Sequence, residues 1–266
     1  MIDAHIHLDQ YHPDVEEAIS IWQENGIEAV IAVASNLQSS YEILKLKQRF
    51  PEFVYAAIGH HPEAPPPASK EFAELLNLIL QERGHLSAIG EIGLPTYRKK
   101  ELYDQYKKEE YINVLEEFLR IGKEVKLPVV LHAVHEEAKE ALNCLKKQQI
   151  RYAHFHWLKA REDVINEIVS GGYYVSVTPE VCYRERDQRL AKQIPLEQLL
   201  IETDGPWKFN GPFKERETSP LLLKEISQCL SNLLTIPIYS LREKVTTNTK
   251  RLYMEGLYET CNSVNT

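Results

Sequence analysis

Short apolar runs alternate with longer amphipathic stretches along the whole chain. The runs at 2–7, 29–34, 53–59, 86–91, 128–132, 151–156, 173–177 and 199–203 are mostly short and rich in Val, Ile and Ala. That is the pattern of parallel strands covered on both faces. Between them a helical period predicts helices at 14–25, closed by Gly26, at 38–49, before Pro51, and at 69–83, ended by Gly84. Further helices are predicted at 109–125, 136–147, 161–169 and 221–233, with a weaker, charge-rich one at 183–192. Eight strand–helix alternations within 266 residues predict an α/β fold, a (β/α)8 TIM barrel forming one domain over 1–266. A doubly wound open sheet is the competitor, but it usually carries a glycine-rich phosphate loop after its first strand, and this chain has none. Pro65-Pro66-Pro67 reads as a stiff loop, and 261–266 as a frayed tail.

A barrel of this kind carries its functional residues at the C-terminal ends of the strands. The first predicted strand ends in His5-Ile6-His7, where alternation puts both imidazoles on one face, about 6.6 Å apart along the strand. The fourth ends at Glu91 within Gly90-Glu91-Ile92-Gly93, whose glycines permit close approach of a ligand or another backbone. The fifth ends in His132, the sixth in His156 and the eighth in Glu202-Thr203-Asp204. Each residue alone reads as readily as a hydrogen-bonded structural group. Together they form the mixed nitrogen and oxygen set favoured by Zn, Mn or similar ions. Six ligands exceed the needs of one open catalytic ion and suit two that share a carboxylate.

These motifs resemble the TatD family of metal-dependent hydrolases, amidohydrolase-like barrels described as metal-dependent deoxyribonucleases. The resemblance rests on His5-x-His7, Gly59-x-His61-Pro62, Gly90-Glu91-Ile92-Gly93-Leu94, the 127–132 segment ending in His132, Glu202-Thr203-Asp204-Gly205-Pro206-Trp207 and Thr247-Asn248-x-x-Arg251-Leu252. It covers nearly the whole chain in order. It implies that His5, His7, Glu91 and Asp204 hold one ion, and that Glu91, His132 and His156 hold the second, with Glu91 bridging. The strand-six histidine could be sought at His154 or His156; downstream spacing favours His156 and leaves His154 a buried neighbour. His61 resembles a family histidine near the substrate, and a structural role suits it nearly as well.

Two such ions would activate a bridging water and clamp an in-line displacement at phosphorus. Asp204 is the candidate general base, and with the bridging Glu91 it makes up the catalytic pair. Glu202 is expected to orient a ligand from behind rather than to bind metal. With three or four imidazoles, Zn or Mn is favoured over Mg.

The formal net charge of −8 argues against sequence-independent coating of nucleic acid. A local basic rim is still available on the catalytic face: Arg98, Lys99 and Lys100, then Arg184, Arg186 and Arg189, then Lys208, Lys214 and Arg216. Of these, Arg98, Arg184 and Arg186 are the substrate-binding candidates, alongside His61. Ordinary solvated loop charge is the competing reading. The chain departs from the family at Pro95, where Asp is usual, and at Val134, where Arg is usual. His135 or Arg98 could replace the missing charge.

DNA or a smaller phosphate ester is the expected substrate. A hydrolase of amide, lactone or phosphotriester bonds is the alternative, although many such enzymes bridge their ions with a carboxylated Lys where this chain has Glu91. A barrel that binds metal without catalysis is the third reading. The four cysteines are widely spaced, no apolar stretch is long enough to span a bilayer, and the N-terminal residues lack a secretory pattern. These features predict a soluble, cytoplasmic protein without a disulfide framework.

Overall fold

All eight expected strands form, and each pairs with its neighbour in sequence. The computed structural model describes residues 1–11 and 15–255. Strands β1 (Ile2–Ile6), β2 (Ala29–Val33), β3 (Val54–Ile58), β4 (Leu86–Gly93), β5 (Val129–His132), β6 (Ala153–Phe155), β7 (Tyr174–Val177) and β8 (Leu199–Ile201) run parallel, in that order. The sheet curls into a nearly closed (β/α)8 barrel. Residues just beyond the strands draw its seam together. The Asp204 N–H donates to His5 O at 3.0 Å and the His7 N–H to Gly205 O at 2.8 Å. Thr203 donates to the Asp3 carboxylate from its N–H at 3.0 Å and from Oγ1 at 2.5 Å.

Ten α-helices are present among the described residues, eight between strands and two after β8: α1 (Val15–Glu24), α2 (Leu37–Arg49), α3 (Ser69–Glu82), α4 (Lys99–Tyr103), α5 (Lys108–Val125), α6 (Glu137–Gln148), α7 (Glu162–Ser170), α8 (Glu185–Gln193), α9 (Leu223–Leu234) and α10 (Ile238–Tyr253). Local chemistry sets several of their bounds. At the start of α2 the Asn36 side chain accepts the Ser39 N–H while Ser39 Oγ accepts the Asn36 N–H, a reciprocal cap. In α5, Tyr111, Leu115, Phe118, Leu119 and Gly122 recur at helical spacing and form its buried face. The expected start of the first helix, at 14, and the tail 261–266 lie outside the described residues.

Among the described residues two large apolar cores result, beside a small cluster of Phe209, Phe213 and Leu222. One lies between sheet and helices and includes Ile6, Val30, Val54, Ile89, Val129 and Phe155 with Ile43 and Phe118. The other fills the barrel and includes Ile2, Ala29, Ile31, Ala57, Ala88, Val130 and Leu200. A register shift between Asp3 and Ile6 puts the two isoleucines of β1 into different cores. Ile6 packs outward, so its neighbours His5 and His7 face in.

The short α4 and the long α10 were not expected. In α10 the buried positions are Leu241, Val245, Asn248, Thr249, Leu252 and Tyr253, a helical spacing with two polar residues in it. Asn248 and Thr249 interrupt the apolar stripe and hide the period. Both have structural work: Asn248 Nδ2 donates to Leu196 O at 2.7 Å and to Leu199 O at 2.9 Å, fixing the start of β8. Leu252 and Tyr253 join the inner core beside Ile2, Ala29 and Tyr174, the first residues of their strands. The end of α10 therefore floors the barrel and leaves the opposite mouth for chemistry. Among the described residues Cys144, Cys182 and Cys229 are free thiols, and no helix is long and apolar enough to cross a membrane.

Candidate metal centre

Several candidate side chains sit just past the strands rather than on them. The expected strands at 2–7, 151–156 and 199–203 stop early, leaving His7, His156 and Asp204 in the first turns beyond β1, β6 and β8. Asp204 adopts φ 50°, uncommon for a residue with a side chain, and is held by the seam bond to His5 O and by the Trp207 N–H on its own carbonyl. Its carboxylate thereby meets β1. His5 Nε2 lies 3.4 Å from Asp204 Oδ1 and 3.2 Å from Glu91 Oε2; His7 Nε2 lies 3.6 and 3.5 Å from the same two oxygens.

The other oxygen of Glu91 faces a second group. Glu91 Oε1 is 2.8 Å from His132 Nδ1, 2.9 Å from His156 Nε2 and 3.3 Å from His61 Nε2. The six residues expected as ligands thus gather around one carboxylate, with one set of partners for each oxygen. His61 joins the second set. The rings of His5 and His156 stack at 3.9 Å, linking the two sets.

Glycines make room for this. A Cβ on Gly59 would lie 2.8 Å from Glu91 O. Gly93 has φ 154°, and any side chain there would overlap the His132 carbonyl. The glycines around Glu91 serve close backbone packing between β3, β4 and β5.

Carboxylates behind the histidines fix their rings. Glu202 Oε1 is 3.2 Å from His156 Nδ1, and its Oε2 accepts the Ser176 hydroxyl at 2.6 Å and lies 3.6 Å from His154 Nε2. Glu63 Oε1 is 3.2 Å from His132 Nε2. A proton donated to Glu202 or Glu63 leaves the other nitrogen of each ring with its lone pair toward Glu91 Oε1. His154 is buried, with Nδ1 2.7 Å from Tyr253 Oη.

On the Oε2 side of Glu91 the polar atoms converge with no donor between them. His5 Nε2, Glu91 Oε2 and Asp204 Oδ1 are buried and have no hydrogen-bond partner. Such groups are costly unless a cation satisfies them. The two sets differ in charge: burial is outweighed at His132 by Glu63 and Glu91 and at His156 by Glu91 and Glu202, so both imidazoles are raised, whereas those of β1 are lowered. Burial lowers the His5 imidazole and brings His7 down to about 3, so both stand as neutral donors. Burial opposes ionisation of Glu91, but the surrounding histidines outweigh it and hold the carboxyl well below its usual range. Burial, reinforced by Glu91 and Glu202, pushes Asp204 well above its usual range despite His156. Positive charge between Glu91 and Asp204 would let both ionise. The imidazole and carboxylate donors fit divalent metal ions of the Zn or Mn type.

The rim carries its own counter-charges. Arg184 Nε is 2.8 Å and Arg186 Nη2 2.7 Å from the two oxygens of Glu180, and Arg186 also pairs with Asp187. Arg98 pairs with Glu101 and donates to Glu63 O, fastening the loop after β4. Lys99 pairs with Glu137, Arg189 with Glu185 and Arg216 with Glu225. Val134 is buried. His135 donates its N–H to Lys159 O, and burial lowers its imidazole below the ordinary value.

Sequence reasoning passed over Glu63 and Lys159. Glu63 immediately follows the Gly59-x-His61-Pro62 motif, and Lys159 lies three residues after His156, so closeness to a candidate ligand was the available signal.

Comparison with known proteins agrees with this geometry. Residues 2–254 match the family model described as TatD related DNase. An uncharacterized metal-dependent hydrolase of Haemophilus influenzae is 36% identical over 254 residues, covering 95% of this chain and 99% of that protein. The human protein named deoxyribonuclease TATDN3 is 27% identical, with 95% and 94% of the two chains covered. Among solved structures, the TatD homolog YJJV of Escherichia coli superposes with a TM-score of 0.84 at 22% identity, over 95% of this chain and 97% of that one, which shows the shared fold. From the matched family model and the 36% identical relative, the chain belongs to the TatD-related DNase family and is a metal-dependent hydrolase.

Proposed function

We propose that the protein hydrolyses phosphodiester bonds of DNA with two divalent ions held on either side of Glu91. The observation that carries this reading is the division of Glu91: Oε2 faces His5 and His7, while Oε1 faces His132, His156 and His61. His5, His7, Glu91 and Asp204 would hold the first ion, and Glu91, His132 and His156, joined by His61, the second. Bound there, the ions would activate water and offset the charge of a phosphoryl group.

The chain's own residues then have distinct tasks. Asp204 takes the proton of the attacking water, from a carboxylate 3.4 Å and 3.6 Å from the two β1 histidines. Glu202, itself fixed by the Ser176 hydroxyl, keeps the His156 ring turned toward Glu91. Glu63 does the same for His132. The human relative, named a deoxyribonuclease, supports DNA as the substrate class.

The test is a panel of single-stranded DNA, a chromogenic phosphodiester and an aryl ester, each with Mg, Mn or Zn. Turnover of both phosphate substrates is expected. Turnover of the aryl ester alone would overturn the phosphodiester assignment, and no turnover with metal bound would overturn catalysis itself.

A further inference from the structure

Lys159 is a buried cation that none of the foregoing uses. It lies in the loop after β6, 7% exposed, where loops from four strands meet. Its Nζ is 2.6 Å from the Tyr97 hydroxyl, in the loop after β4, and 3.7 Å from the centroid of the Trp157 ring. Its carbonyl accepts the His135 N–H from the loop after β5, and Trp157 packs edge-on against Trp207, from the loop after β8, at 6.0 Å. Tyr97 in turn sets its ring 6.0 Å from that of His132, so Lys159 is one side chain away from the second histidine set.

The surroundings of Lys159 lack a counter-ion. Among the described residues the single hydrogen bond of its ammonium is to Tyr97, and no carboxylate stands at ion-pair distance. Glu180, the carboxylate that acts most strongly on it, is taken by Arg184, Arg186 and the Trp157 indole N–H. An ammonium has three donors, and two remain free here. Stacking on an indole ring contributes about 0.5–2 kcal/mol, well short of the several kcal/mol that burying an ion costs. A buried cation left in this state is suited to an anion that arrives with the ligand.

We propose that Lys159, with the Tyr97 hydroxyl beside it, binds a phosphate oxygen of the substrate, and so selects anionic esters at the mouth of the barrel. The inference rests on the phosphodiester reading above and adds the residue that recognises the phosphate. Burial lowers the Lys159 ammonium to about 8, with Glu180 opposing and Arg186 adding to the shift, so the side chain still carries its proton at neutral pH. Tyr97 is 57% exposed, so the pair borders solvent on its side.

The experiment uses the metal-loaded full chain and Lys159→Met, with Lys159→Gln should the first variant not fold. Inorganic phosphate is titrated by calorimetry and as a competitive inhibitor, and KM and kcat are measured for a chromogenic phosphodiester and an uncharged aryl ester. Lys159→Met is expected to weaken phosphate binding about tenfold, the loss of one charge-assisted hydrogen bond. It should raise KM for the phosphodiester alike, with kcat within about threefold, and leave the aryl ester and the metal content unchanged. Unchanged phosphate affinity and KM would overturn the proposal, as would an equal loss on the uncharged ester. If the unaltered protein turns over no phosphodiester yet binds phosphate through Lys159, the phosphodiester reading falls and the anion site stands.

Discussion

Glu63 Oε1 lies 3.2 Å from His132 Nε2 while the same carboxylate accepts the N–H groups of Thr96, Tyr97 and Arg98, at 2.6, 2.8 and 2.7 Å. One side chain therefore ties the loop after β4 to the ring that faces Glu91. His132 and the three amides outweigh burial and hold its carboxyl down at about 2, so Glu63 is ionised throughout the physiological range. Glu63→Gln keeps the volume and removes the charge. Metal affinity of the second set is expected to fall about 10- to 100-fold, as for other carboxylates behind a histidine ligand. Elemental analysis after dialysis against a weak chelator measures this; full retention of both ions would show that His132 needs no such support.

Asp204→Asn separates proton transfer from metal binding. Turnover should disappear while at least one ion stays bound, because His132, His156, His61 and Glu91 are untouched. Activity above a few per cent in that variant would remove Asp204 from the base role.

The floor of the barrel can be probed through Tyr253. Its hydroxyl pairs with His154 Nδ1 at 2.7 Å, and both residues are buried. Tyr253→Phe leaves that nitrogen unpaired, at a cost of about 1–3 kcal/mol. Urea unfolding should show the loss as a lower midpoint with the slope unchanged. A midpoint equal to that of the unaltered protein would mean that the pair adds nothing net.

Lys159 predicts a pH dependence of stability. Its ammonium stands at about 8 in the folded protein and about 10.4 in an unfolded chain. Between those values the unfolded chain binds more protons, so the folded form gains stability as pH rises. Below 8 the buried charge opposes folding, by up to about 3 kcal/mol for a shift of this size. Burial is the main cause of the shift; Glu180, Asp187 and Asp204 oppose it and Arg186 adds to it. Lys159→Met should thus be the more stable form at pH 7, and its advantage should shrink toward pH 10. Unfolding curves at the two pH values decide it: a constant difference refutes the sign worked out here.

What the sequence disclosed depended on whether a residue's surroundings were local. The strands and the inward pair His5 and His7 were legible because alternation and apolar runs are set by nearest neighbours. Glu91, His132, His156 and Asp204 were legible because a barrel puts strand ends at one mouth. α10 was not, because Asn248 and Thr249 stand where an apolar stripe would be expected, and their value lies in bonds to β8 and to their own helix. Glu63 and Lys159 looked like ordinary loop charges, since only the tertiary fold reveals that one backs a histidine and the other is enclosed. Arg98, Arg184 and Arg186 looked free in the sequence for the same reason; their carboxylate partners lie within a few residues, and the loops had to take shape before the pairs could be seen.

The seam of the barrel bears on the order of assembly. Asp3 reaches Thr203 across a separation of 200 residues, and Asp204 reaches the His5 carbonyl beside it. β1 pairs locally with β2, whereas its bonds to the segment after β8 join groups some 200 positions apart and are the slower ones to close. A chain interrupted between His7 and Asp204 would divide the six candidate ligands between two pieces.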